Sequence, residues 1–145
     1  MSNKRLKVIV TRRLPDAVEL RLKELFDAEL NEADTAFTDE QLVDAVKRAD
    51  VLVSTVTDQV TGRILAQAGD QLRLIAQFGA GVDNIDVQSA VQRGITVTNT
   101  PGVLTHATAD ITFALILAVA RRVVEGDRRT REGQFRFWSP LLFLG

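Results

Sequence analysis

Residues 72–110 read LRLIAQFGAGVDNIDVQSAVQRGITVTNTPGVLTHATAD, and their organisation decides the fold. Leu72 to Gln77 is an apolar run of strand length, and it ends at the glycine turn Gly79-Ala80-Gly81. Asp86 then stands as an N-cap before a short helical pattern of Val87, Ala90 and Val91, which Gly94 closes. Ile95-Thr96-Val97-Thr98 is a second β-branched run, and Thr105 opens the most apolar segment of the chain. Two strands joined through a helix make a parallel pair, because a parallel connection needs a crossover.

The same unit recurs upstream. Leu6-Lys7-Val8-Ile9-Val10 predicts a buried first strand. Pro15 is suited to a first helical position, followed by Asp16 and an apolar face of Val18, Leu22, Leu25 and Phe26. Ala28-Glu29-Leu30 predicts a short edge strand. Thr38 with Gln41 has capping-box spacing and precedes the stripe Leu42, Val46 and Ala49. Val51-Leu52-Val53-Ser54 predicts the third strand, and Ile64, Leu65 and Ala68 the inward side of a third helix stopped by Gly69.

Strands therefore start near residues 6, 28, 50, 72 and 95, with a helical pattern in each gap. This alternation predicts an α/β fold, a doubly wound five-stranded parallel sheet with helices on both faces. Its size fits the flavodoxin-like order 2-1-3-4-5. Residues 1–100 are expected to form that domain. Residues 101–145 are expected to form a long fifth helix and a C-terminal arm.

Between Ile111 and Ala120 only Thr112 is polar, so this fifth helix is apolar on every side and calls for a partner domain or a second subunit. The tail from Phe137 to Gly145 is also apolar, which predicts a truncated chain.

Composition narrows the function classes. The 145 residues are 46% hydrophobic and 26% charged with a net charge of −1, the balance of a soluble globular protein without a global field for nucleic acid or membrane. There is no cysteine, hence no disulfide framework and no thiolate nucleophile. The longest apolar stretch, Phe113 to Ala120, is too short for a bilayer span, and the N-terminus lacks a signal-peptide core. A cytoplasmic location is expected. One histidine without cysteine gives no metal-ligand spacing.

Gly79-Ala80-Gly81 does not extend to a dinucleotide fingerprint, because Asn84 occupies the third glycine position. It can still offer the Ala80 and Gly81 amides to a carboxylate, or serve as a plain tight turn. His106, at the entry to the apolar helix, reads as structural. Arg121, Arg122, Arg128, Arg129 and Arg131 form a basic run that Glu125, Asp127 and Glu132 interrupt, and it reads as a solvated helix face with local ion pairs. A phosphoacceptor site is absent: Thr11-Arg12-Arg13 and Ser54-Thr55 follow the first and third strands, where receiver domains carry acidic residues.

The chain resembles the N-terminal portion of the D-isomer-specific 2-hydroxyacid dehydrogenases, in the glyoxylate/hydroxypyruvate reductase branch. The residues that carry the likeness are Val8-Ile9-Val10-Thr11-Arg12, Phe78 to Asp86, Arg93 to Thr105, Ala107-Thr108-Ala109-Asp110 and Trp138-Ser139-Pro140. The resemblance implies an oxidoreductase that reduces small 2-oxo acids with NADH or NADPH. It implies that Ser54, Thr55, Ala80 and Gly81 bind substrate and that Ala80 also lies beside the nicotinamide. It further implies a homodimer through helix 105–124 and a Trp138 that helps cover an active site.

The family's catalytic arginine, glutamate and histidine, and its coenzyme domain, correspond to sequence beyond residue 145; His106 is not that histidine. The chain alone is therefore expected to be inactive and to hold no coenzyme. The competing expectation is a non-catalytic binding or self-associating module of the same fold, natural or engineered.

Overall fold

The structure, a computed structural model, describes residues 5–137 and Pro140. The chain divides into two compact units, Met1–Gly102 and Val103–Gly145.

The first unit runs β1 (Lys7–Val10), α1 (Asp16–Leu25), β2 (Asp27–Glu29), α2 (Asp39–Arg48), β3 (Val51–Thr55), α3 (Gly62–Leu65), β4 (Leu74–Phe78), α4 (Val87–Gln92) and β5 (Thr96–Thr98). The five strands form one sheet in the order β2-β1-β3-β4-β5, all neighbours parallel. This is the order the strand rhythm predicts.

One face of the sheet carries the main core. Ile9, Leu52, Ile75 and Val97 are register neighbours across four strands. They pack against Leu42, Ala45, Val46 and Ala49 of the α2 region, Ile64, Leu65 and Ala68 around α3, and Ala90 of α4. Truncating a buried leucine such as Leu52 in this layer costs about 2–5 kcal/mol. Thr38 closes the α2 N-terminus with the reciprocal capping box, its side chain accepting from the Gln41 amide. Asp86 likewise accepts from the Ser89 amide at the start of α4.

The opposite face is thinner. Val8, Val10 and Leu14 are buried there beneath Leu22 and Phe26. No residue of α1 itself is fully buried, and Val18 and Leu25 of the expected apolar face are exposed. Within this unit only one side of the ten-residue helix meets apolar surface, so its outer apolar residues stay in solvent. Pro15 also stands one position earlier than expected, as the N-cap, because its extended ψ of 136° lies outside the helix. The edge strand β2 begins at Asp27, one residue before the expected Ala28. In this register Lys7 stands opposite Asp27, and its ammonium reaches the Asp27 and Glu29 carboxylates.

The second unit contains α5 (Thr105–Ala120) and α6 (Val123–Arg131). No residue of α5 is buried, and Phe113, Leu117 and Val119 are more than half exposed. Thr112, its one polar interruption after Ile111, turns its hydroxyl back to the Thr108 carbonyl at 2.7 Å and so hides its polarity. The helix expected over 105–124 stops at Ala120, because Arg122 breaks it in a left-handed conformation, φ 51°, and Glu125 accepts from the Arg122 Nε at 2.9 Å. Trp138 and Ser139 lie outside the described residues.

Candidate functional site

Along the core face, the sheet changes from apolar to polar within one row at the carboxyl ends of its strands. Two residues beyond Ile9, Leu52 and Ile75 stand Thr11, Ser54 and Gln77, all buried. Alternate strand residues share a face, so this polar row continues the apolar one. Open parallel sheets meet their ligands at this edge. Burying three polar side chains there requires that each finds a partner.

The partners form one network. The Ser54 hydroxyl donates to Gln77 Oε1 at 2.7 Å, across the β3–β4 register. Gln77 Nε2 donates to Asn84 Oδ1 at 2.9 Å. Asn84 Nδ2 donates to the Thr55 carbonyl at 3.1 Å and the Asp58 carbonyl at 2.7 Å. Asp58 Oδ2 accepts from the Thr55 amide at 2.7 Å and from the Thr11 hydroxyl at 2.5 Å. The loop after β3 is thereby fastened to the loop after β4 and to the end of β1. Asp58 Oδ1, also buried, has no protein partner among the described residues.

The glycine turn sits on this support. A Cβ on Gly79 would lie 2.7 Å from Val56 Cγ1 and 3.3 Å from Gln77 Nε2, so a larger residue in the turn must displace a neighbouring side chain. At Gly81 the nearest such neighbour is Asp83 Oδ2 at 3.6 Å, an ordinary contact. The Thr100 amide donates to the Gly79 carbonyl at 2.9 Å, and Asn99 Nδ2 donates to the Ala80 carbonyl at 2.7 Å. Among the described residues, neither the Ala80 nor the Gly81 amide donates to a protein acceptor. Both residues are exposed. Two adjacent N–H groups, free and exposed beside a rigid network, can bind a carboxylate by paired hydrogen bonds.

Of the residues singled out in the sequence, Thr55 at the end of β3 and Ala80 and Gly81 just after β4 all stand at the carboxyl edge of the sheet. Ser54 lies beneath it, fully enclosed with its hydroxyl committed to Gln77. Sequence reasoning missed Gln77, Asn84, Asp58 and Asn99. A polar residue at a core-facing position of an otherwise apolar strand, as Gln77 is in β4, was the available signal.

Charge at the rim comes from Arg12, just after β1. Asp34 Oδ1 accepts from its Nε at 2.8 Å, and Thr57 Oγ1 from its Nη1 at 3.3 Å. The hydrogen bond to Asp34, and more weakly the charges of Asp34 and Asp58, raise the guanidinium above its ordinary value. The Asp34 carboxyl is lowered in turn by Arg12 and by the Arg13 amide.

The turn does not fit a dinucleotide. Asn84 takes the position of the third glycine, and its side chain ties two loops together. The helix that follows begins only at Val87 and has six residues. Among the described residues, no group of three or more His, Asp or Glu side chains could hold a metal ion, and His106 is exposed in α5.

The sheet order and the amide turn at its carboxyl edge define an open α/β domain of the flavodoxin-like kind. Residues 4–138 match the D-isomer specific 2-hydroxyacid dehydrogenase catalytic domain, and the chain belongs to that family. It is 44% identical over 140 residues to a glyoxylate reductase of Korarchaeum cryptofilum, covering 96% of this chain and 42% of the relative. A crystallised NAD-binding D-isomer specific 2-hydroxyacid dehydrogenase of Polaromonas superposes with a TM-score of 0.85 at 36% identity, over 97% of this chain and 44% of that one. The NADPH-dependent glyoxylate/hydroxypyruvate reductase of Sinorhizobium meliloti, crystallised with NADP and malonate, gives 0.72 at 26% identity, over 98% of this chain and 44% of that one. The chain thus spans less than half the length of these proteins.

Proposed function

We propose that the chain supplies the carboxylate-binding wall of an NAD(P)H-dependent reductase of small 2-oxo acids such as glyoxylate and hydroxypyruvate. The observation that carries this reading is the pair of free, exposed amides at Ala80 and Gly81 on a turn whose carbonyls are already taken. The carboxylate of the substrate would accept from both N–H groups. Thr55 would border the pocket, and Ser54 would hold Gln77 beneath it. Relatives of known activity and a neighbour crystallised with a dicarboxylate support the choice of a short acid.

The coenzyme supplies hydride when bound. This chain's residues touch it, on the present reading, only at Ala80, and its cradle belongs to a coenzyme domain outside these residues. The 145 residues alone would therefore bind substrate weakly and turn nothing over. Helix α5, whose residues 111–120 are apolar on every side, would be covered by a second copy of the chain in a homodimer.

Calorimetry separates this reading from a non-catalytic module. Glyoxylate and oxalate are expected to bind the chain, glycolaldehyde (without a carboxylate) is not, and no NADH is consumed with glyoxylate. Equal heats for the acid and the aldehyde, or turnover by the chain alone, would refute the respective half of the proposal.

A further inference from the structure

In a trans peptide the C=O and N–H of one plane point in opposite directions. The plane joining Ala80 to Gly81 is held by its carbonyl, which accepts from Asn99 Nδ2 at 2.7 Å. The plane joining Gly79 to Ala80 is held by its carbonyl too, which accepts from the Thr100 amide at 2.9 Å. Both carbonyls are drawn to the segment after β5, so both N–H groups turn away from it. Asn99 makes its contact through a side chain, and among the described residues it is the donor to the Ala80 carbonyl; Gln77 Nε2 reaches the Gly81 carbonyl, in the next plane, at 3.5 Å.

We propose that Asn99 is a positioning residue: by holding the Ala80 carbonyl it aims the Gly81 N–H at the carboxylate of a bound 2-oxo acid. This rests on the reading of the two amides as the carboxylate site. Donors fixed before the ligand arrives bind it without a cost of reorganisation. Without Asn99 the Ala80 carbonyl is free to rotate to solvent and to carry the Gly81 N–H out of line. The Ala80 N–H, governed by the main-chain amide of Thr100, keeps its direction.

The test uses the isotopically labelled 145-residue chain, with oxalate as the probe. In the ligand-free protein, Asn99→Ala is expected to change the residual dipolar coupling of the Gly81 N–H and to leave that of Ala80 in place. Oxalate should then bind roughly three- to tenfold more weakly, the loss expected for one hydrogen bond. Asn99→Gln, which keeps the donor on a longer arm, should recover part of the affinity. An unchanged Gly81 coupling, or unchanged oxalate affinity in Asn99→Ala, overturns the proposal.

If oxalate fails to move the Ala80 and Gly81 signals of the wild type, the carboxylate reading falls instead, and the couplings alone decide whether Asn99 sets the plane. Should Asn99→Ala not fold, a scalar coupling across the bond from Asn99 Nδ2 to the Ala80 carbonyl carbon in the wild type decides: its presence supports the proposal and its absence overturns it.

Discussion

Gln77 Nε2 donates to Asn84 Oδ1 at 2.9 Å and, at a longer 3.5 Å, to the Gly81 carbonyl, and these bonds join the floor of the sheet edge to the loop that carries the glycine turn. Gln77 is anchored below by Ser54, and Asn84 is anchored sideways by two carbonyls of the β3 loop. The pair therefore ties the sheet to a loop that Thr100, Asn99 and the Val60 backbone hold from other sides. Asn84→Ala would leave the Gln77 amide with only its 3.5 Å bond to the Gly81 carbonyl and would strip the Asn84 donor from the Thr55 and Asp58 carbonyls. Urea melts are expected to show a loss of about 1–3 kcal/mol. A change within a few tenths would mean that water replaces Asn84 freely.

The two turn glycines should behave in opposite ways. Gly79→Ala pushes a methyl against Val56 Cγ1 and toward Gln77 Nε2, and because the exposed Val56 side chain can yield, the cost should lie at the low end of overpacking, about 1 kcal/mol. Gly81→Ala meets only Asp83 Oδ2 at 3.6 Å and should leave stability within about 0.5 kcal/mol. Its methyl should nevertheless weaken oxalate binding by crowding the amide approach. Thermal melts of both variants, followed by oxalate titration of Gly81→Ala, check this.

The strand rhythm, the sheet order and the Thr38 capping box were all legible in the sequence, because each depends on short-range spacing. The polar row was not. Ser54 and Gln77 are 23 residues apart and meet only through the β3–β4 register, so neither announces its partner. Asn84 was noticed as a missing glycine, while its bonds to Thr55 and Asp58 depend on how two loops meet in space. The exposure of Val18 and Leu25 was hidden for a related reason: helical spacing marks an apolar face but does not say how much surface is there to cover it.

An acid-sensitive contact lies away from the site. The Glu29 carboxyl is lowered from 4.5 to about 2, chiefly by its hydrogen bonds from Arg48 and further by Lys7. A carboxyl lowered in the folded state adds stability above its unfolded pKa and loses it as pH falls through the folded one. The contribution should be complete above about pH 4.5 and fade toward pH 2. The partners are 44% and 42% exposed, so solvent screening limits it to at most about 1 kcal/mol. Arg48→Ala should flatten the stability–pH curve within that window, as denaturant melts across it would show.

Helix α5 presents Phe113, Leu117 and Val119 to solvent. An apolar surface of this kind drives association. The wild-type chain should sediment as a dimer, and Leu117→Asp should shift it to monomer. A wild type that stays monomeric at high concentration would remove the homodimer from the proposal.

The central claim is that the Ala80 and Gly81 amides grip the carboxylate of a short 2-oxo acid. Titrating the labelled chain with glyoxylate while following every backbone amide tests it most directly. The account predicts saturable shifts largest at Ala80 and Gly81, with Thr55 responding beside them. Shifts spread evenly over the surface, or none at residues 80 and 81, would contradict it.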